Sequence, residues 1–171
     1  MRRILALVAL LALAGCRGGG FLPAHSDQDS PSGSTAGKLS LSLDARQQGG
    51  DYRLLLAAPS AEDLYQVAGT LLYDPQRYEV VAVESGGGLG DPTQSYFVSG
   101  ETEQGRLRFA YTKRFWGEGA SGPVSLMAIR VRPLSAFRLG DFQLDQRSGM
   151  LRVRNSRRDS FSVSVSYGEA K

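Results

Sequence analysis

Few groups in this sequence could make or break covalent bonds, and they are poorly placed for catalysis. The chain has one cysteine, Cys16, and one histidine, His25, both close to the N-terminus. A Ser-His-Asp or Cys-His nucleophile needs a histidine beside it, and beyond residue 38 the sequence offers neither His nor Cys. A zinc site lacks its usual donors for the same reason. What remains is carboxylates: Asp74, Glu79, Glu84, Asp91, Glu101 and Glu103. Two of them could act as acid and base on a glycosidic bond, but nothing in their spacing separates catalysis from a solvated face. Asp74 stands in Tyr73-Asp74-Pro75, between two apolar runs. There aspartate can accept from backbone amides two residues on, while proline presets its own φ and ends a strand. Turn duty is therefore its expected role. The glycines Gly86-Gly87-Gly88 and Gly90 precede no helix start and no Lys-Ser/Thr, so they read as a loop and not a phosphate cradle. The expectation is a non-catalytic chain without cofactor or metal.

Residues suited to recognition are easier to find. "YTKRFWGEGASG", Tyr111 to Gly122, holds the sole tryptophan, Trp116, beside Phe115, Arg114 and Lys113, with three glycines close behind. Aromatic and arginine side chains dominate interface hot spots, and aromatic rings also stack on sugars. Trp116 either plugs one end of a core or is presented to a ligand, and the sequence leaves both open. A second candidate is Tyr96 in "SGGGLGDPTQSYF", Ser85 to Phe97. Tyr96 and Phe97 point to opposite faces in an extended chain, so one of them is expected in the core.

The N-terminus carries the most specific signal. Arg2 and Arg3 precede the apolar run "ILALVALLALAG", Ile4 to Gly15, and then Cys16. A basic start, a short apolar segment and small residues at a cleavage point define a secretory signal. The run falls short of the roughly 20 residues that cross a bilayer as a helix. Leu13-Ala14-Gly15-Cys16 is similar to a bacterial lipobox. That similarity implies cleavage before Cys16 and acyl chains, palmitate among them, on its thiol and new amino group. Two or more chains anchor stably. Arg17, where an aspartate would favour the inner membrane, points to the outer membrane if the organism has one, and otherwise to the outer face of the plasma membrane. Residues 1–15 are thus read as a signal peptide, and residues 16–37, rich in Gly, Ser, Pro and Asp, as a flexible tether. Asp27 and Asp29 lack the glycine and distant glutamate of a calcium loop. Removing Arg2 and Arg3 leaves 18 basic against 17 acidic residues, so the mature chain is close to neutral. Arg147, Arg152, Arg154, Arg157 and Arg158 nevertheless cluster near the C-terminus. They read as a solvated strand face with basic edges that discourage aggregation, with anionic lipid or glycan as the functional alternative. Nucleic acid is not an expected partner of an exported lipoprotein.

Residues 38–171 have the length of one domain, and their dominant period is two. "KLSLSLD" sets Leu39, Leu41 and Leu43 against serines, and "SFSVSVSYG" sets Phe161, Val163, Val165 and Tyr167 against Ser162, Ser164 and Ser166. Between them lie "DYRLLLAA", "YQVAGTLLY", "RYEVVAVES", "SYFVSG", "GRLRFAYTK", "PVSLMAIRVRP", "GDFQLDQ" and "GMLRVRN", each bounded by turn formers. Such runs predict an all-β fold, a two-sheet jelly-roll-like sandwich of about nine strands. "SAEDLY", Ser60 to Tyr65, predicts one helical turn capped by Ser60.

The succession "VAGTLLYDPQRYEVVAVESGG", "GRLRFAYT" and "GPVSLMAIRVRP" resembles the cohesin-like domain family. The matching elements are Tyr73-Asp74-Pro75, Tyr78 to Val83, Gly105 to Phe109 and Gly122 to Val131, over roughly Leu39 to Pro133 with a looser fit through Tyr167. The resemblance implies a nine-stranded jelly-roll-like sandwich. Cohesins bind dockerin modules through one flat sheet face and organise glycan-degrading assemblies at the cell surface. The chain is expected to depart from that pattern, with one domain, no catalytic module and a lipid anchor in place of a scaffold. Cohesin binding faces follow no fixed motif, so the resemblance assigns no site residue here. The expected partners are the membrane, through lipid on Cys16, and an unidentified envelope protein. The alternatives are a polysaccharide, bound by a carbohydrate-binding module, and a role as structural subunit of an envelope assembly. Lys113, Arg114, Phe115, Trp116 and Tyr96 are the expected contact residues.

Overall fold

The computed structural model describes residues 35–170. The segment expected to be a signal peptide, and Cys16, His25, Asp27 and Asp29, lie outside them. Nine strands follow in order: β1 (Thr35–Gln48), β2 (Asp51–Leu72), β3 (Tyr78–Ser85), β4 (Ser95–Glu103), β5 (Arg106–Lys113), β6 (Ala120–Pro133), β7 (Gln143–Leu144), β8 (Arg152–Asn155) and β9 (Ser160–Ala170). All-β architecture with about nine strands is what the period-two runs predicted. The first strand starts at Thr35, which pairs with Ser160 of β9.

β2 organises the molecule. Its first half pairs with β1 on one edge and β6 on the other, and β3 extends β6. Its second half pairs with β5 on one edge and with β8 and β7 on the other, and β4 extends β5. One sheet therefore runs β3-β6-β2-β1-β9 and the other β8-β2-β5-β4, with β2 belonging to both. β1 and β9 are parallel, and every other pairing is antiparallel. A single bridge, Arg154 to Ser160, joins β8 to β9 and closes a four-strand ring through β1 and β2.

The inner faces of both sheets meet in one core. Leu39, Leu41 and Leu43 of β1 lie against residues such as Leu54 and Leu56 of β2, Phe109 and Tyr111 of β5, and Ile129 and Val131 of β6. The serines between the β1 leucines stay outside, as the pleat requires. Fully burying each such leucine contributes about 1.5–3 kcal/mol.

The helical turn predicted at Ser60–Tyr65 does not form; these residues are strand throughout, with register shifts between Ala58, Ala61 and Leu64. Asp63 explains the difference. It adopts φ +56°, a left-handed conformation that aspartate tolerates better than most residues. Its carboxylate then accepts from outside the segment: the Gly119 N–H at 2.5 Å and the Ser156 hydroxyl at 2.7 Å. The acid that looked like helix-start chemistry pins a bend that carries β2 from one sheet to the other. "GDFQLDQ" is also shorter than predicted, giving a 3-10 turn at Leu139–Asp141 and two strand residues.

Tyr73-Asp74-Pro75 is a turn, as predicted. Asp74 Oδ1 accepts the Gln76 N–H at 2.9 Å, two residues on, and its carbonyl accepts from Arg77 and Tyr78. At this end of the sandwich Tyr78 is buried against Phe142, and its hydroxyl donates to Asp141 at 2.5 Å.

Candidate functional site

The carboxylates that could have formed a catalytic pair are each taken up by structural bonds or ion pairs, apart from Glu84. Asp91 accepts from the Thr93 N–H and hydroxyl, which hold its pKa below the usual range. Glu101 accepts from the Tyr73 hydroxyl and the Gly105 N–H. Burial, and then this carboxylate, push the Tyr73 phenol upward. Glu79 pairs with Arg132, and Glu103 approaches Arg106. Among the described residues no group of three His, Cys, Asp or Glu side chains could hold a metal ion.

The five expected contact residues divide between two neighbouring surfaces. Tyr96, 53% exposed, stands on the outer face of β4, while Phe97 next to it packs against the core. The alternation that predicted opposite faces is therefore observed. Arg114 donates from Nε to the Ser95 carbonyl at 2.9 Å and lies 5.8 Å from the Tyr96 ring centre, a cation–π distance. Lys113 turns its Nζ to the Glu118 carbonyl at 2.7 Å. Phe115 and Trp116 are 68% and 79% exposed, which excludes a core role for the tryptophan. The two segments singled out separately in the sequence meet here. A recess of about 550 Å³ is lined by Lys113, Phe115 and Trp116 from one and by Leu89, Gly90 and Gln94 from the other. The Tyr111 hydroxyl fixes that contact, accepting from the Leu89 N–H and donating to the Gly90 carbonyl.

The second surface is the outer face of β8-β2-β5-β4, which the sequence did not single out as a site. Strand register stacks its outward residues in rows. Arg154, Gln66, Thr112 and Tyr96 form one row, and Arg152, Ala68, Ala110 and Val98 form the next. Thr70, Arg108 and Gly100 follow. Small side chains at the centre leave a shallow, mostly apolar depression of about 520 Å³, walled by Val98, Met150, Arg108 and Arg152. Val98 and Met150 are exposed apolar side chains. The available signal was the period-two placing of Ala68 and Thr70 on β2 and of Arg108 and Ala110 on β5. Without strand order, those small residues could not be assigned to one patch.

Below one edge of this face lies Asp145, whose side chain is only 2% exposed. It accepts from Arg147 Nε at 2.8 Å, and Arg106 approaches at 3.5 Å. The hydrogen bonds and charge of Arg147 hold its carboxyl down at about 2 despite burial.

One five-stranded and one four-stranded sheet, sharing a strand that crosses between them, identify the architecture. This is the fold of cohesin domains. The sixth cohesin of Acetivibrio cellulolyticus scaffoldin B, solved in complex with a dockerin, superposes with a TM-score of 0.63 at 15% identity, over 78% of this chain and 98% of that one. A type II cohesin from Bacteroides cellulosolvens gives 0.62 at 10% identity, over 77% and 99%. A non-cellulosomal cohesin from the archaeon Archaeoglobus fulgidus gives 0.54 at 17% identity, over 75% and 84%. No protein-family profile and no curated protein sequence matches the chain. The likeness to these three cohesins is thus one of fold, at 10% to 17% identity.

Proposed function

We propose that this chain is a non-catalytic, lipid-anchored binding module of the bacterial cell envelope, and that it holds a protein partner on the outer face of β8-β2-β5-β4. The observation that carries the reading is that face itself. It is a shallow depression floored by Ala68 and Ala110, with exposed Val98 and Met150 beside them and Arg108 and Arg152 among its walls. An apolar centre with a charged rim is the anatomy of a protein interface. The partner that fits would bring apolar side chains flanked by carboxylates. Some of the similar cohesins were solved with dockerins on them, which supports a protein ligand and makes a dockerin-like module the first to try.

A sugar ligand is the second reading, favoured by the exposure of Phe115 and Trp116. Polysaccharide binders present aromatic rings along the sugar path. On the four-stranded face Tyr96 is the one exposed large aromatic among the described residues, which favours protein over glycan there.

Ala110→Arg tests the reading, because it places a long charged side chain at the centre of the face without touching the core. In a pull-down from envelope extract, the wild-type chain is expected to retain a protein that this variant loses, with unchanged thermal melting. Equal retention by both would remove the face as the binding surface. A glycan array run in parallel, with a signal abolished by Trp116→Ala, would replace the protein reading by the carbohydrate one.

A further inference from the structure

The loop between β5 and β6 is built to keep two aromatic side chains in water. The Tyr65 hydroxyl donates to the Phe115 carbonyl at 2.8 Å, and the Arg114 N–H donates to the Gln94 carbonyl at 2.8 Å. Lys113 Nζ holds the Glu118 carbonyl, and Asp63 holds the Gly119 N–H. Bonds at both ends of the loop thus fix its backbone, while Phe115 and Trp116 stay exposed at its tip. Gly119 allows the close approach, since a Cβ there would lie 2.3 Å from the Asp63 backbone. Exposed Trp and Phe on a braced tip, with arginines around them, is the composition of a surface that sits at a membrane–water boundary.

The chain path says which boundary. Arg158, in the turn between β8 and β9, lies 5.1 Å from the Trp116 ring centre. Ser160 follows two residues later and pairs with Thr35, the first residue of β1. β1 therefore begins beside the strand that leaves the turn carrying Arg158, the arginine over Trp116. Cys16 precedes Thr35 by about 19 residues, which span at most about 65 Å even when fully extended. A contact too weak to hold a free protein becomes effective when a tether supplies a high local concentration.

We infer that Phe115 and Trp116 form an interfacial membrane contact, seating the tethered domain on the bilayer to which Cys16 is anchored, with β5 rising away from the surface. This rests on the lipid-anchor reading. Lys113 and exposed Arg114, Arg157 and Arg158 stand near exposed Glu62 and Glu118, and the Asp63 and Asp159 carboxylates are bonded within the same end of the domain. The local charges nearly cancel, so the aromatic pair, and not anionic lipid, supplies the contact. The face of β8-β2-β5-β4 then stands beside the membrane, open to a partner.

Trp116 is the sole tryptophan and reports on itself. The lipidated full chain is reconstituted into zwitterionic phosphatidylcholine vesicles, with and without brominated acyl chains. The expected result is a blue shift of the emission relative to the chain in detergent-free buffer without vesicles, and loss of intensity with the brominated lipid. Phe115→Ser is expected to reduce that quenching while the protein stays with the vesicles. A protein that floats with the vesicles but shows unshifted, unquenched emission overturns the contact and leaves the anchor standing. A chain that remains soluble overturns both. Unquenched emission that responds to a soluble glycan would assign the tip to sugar binding instead.

Discussion

Asp145 shows how much a single residue can contribute where the sequence gives no hint of it. In "FQLDQRSG" it looks like any strand-end aspartate, yet its side chain is buried under the guanidinium groups of Arg147 and Arg106. Its carboxyl is held at about 2, below the ordinary value near 3.8. A depressed folded-state value means that its stabilising contribution is complete above about pH 4 and is lost as pH falls through about 2. Asp145→Asn is therefore expected to lower the denaturation midpoint most at neutral pH, with the gap to wild type closing between about pH 4 and pH 2. Urea titrations at stepped pH would check this, and a gap independent of pH would assign the loss to packing. The candidate contacts show the converse. That Trp116, Phe115, Arg114 and Tyr96 are interaction-type residues was legible from their chemistry. Whether Trp116 faced water or core was not, because exposure depends on what the rest of the fold places above it.

At the scale of the element, β2 is the part where local sequence misleads. Ser60-Ala61-Glu62-Asp63 carries helix-start chemistry, but a 22-residue strand runs through it. Pairing on both edges of β2 outweighs a weak local preference. The bend depends on acceptors that the segment lends to distant donors. Asp63→Ala removes the bonds to Gly119 and Ser156 and leaves alanine at a positive φ; together these are expected to cost about 1–3 kcal/mol. Asp63→Asn keeps one acceptor oxygen and tolerates the backbone, so thermal melting is expected to place it between alanine and wild type. Alanine melting like wild type would show that the strand ladders alone set the bend. Because Asp63 also holds Gly119, the alanine variant is expected to lower the fluorescence anisotropy of Trp116 as the loop loosens.

For the domain as a whole, the sandwich leaves one end for the turn at Tyr73-Asp74-Pro75 and the aromatic cluster around Tyr78, and the other for the start of β1, the β8–β9 turn and the Trp116 tip. In the proposed arrangement the anchor and tip share one end, and the partner face lies along the side. Cys16→Ser is expected to abolish lipid labelling and shift the protein from the membrane to the soluble fraction; persistent labelling would remove the lipobox reading. The sequence by itself determined the all-β class, most of the strand runs, the turn at Asp74 and the poverty of catalytic groups. These follow from local rules: period-two burial, turn chemistry and the presence or absence of reactive side chains. Only the tertiary structure decided which small residues share the four-stranded face, that Asp63 bends a strand instead of capping a helix, and that Arg158, in the turn leading to the partner strand of Thr35, lies over Trp116. Each of those depends on contacts between segments tens of residues apart, and strand order, which no local pattern encodes, determines which segments meet.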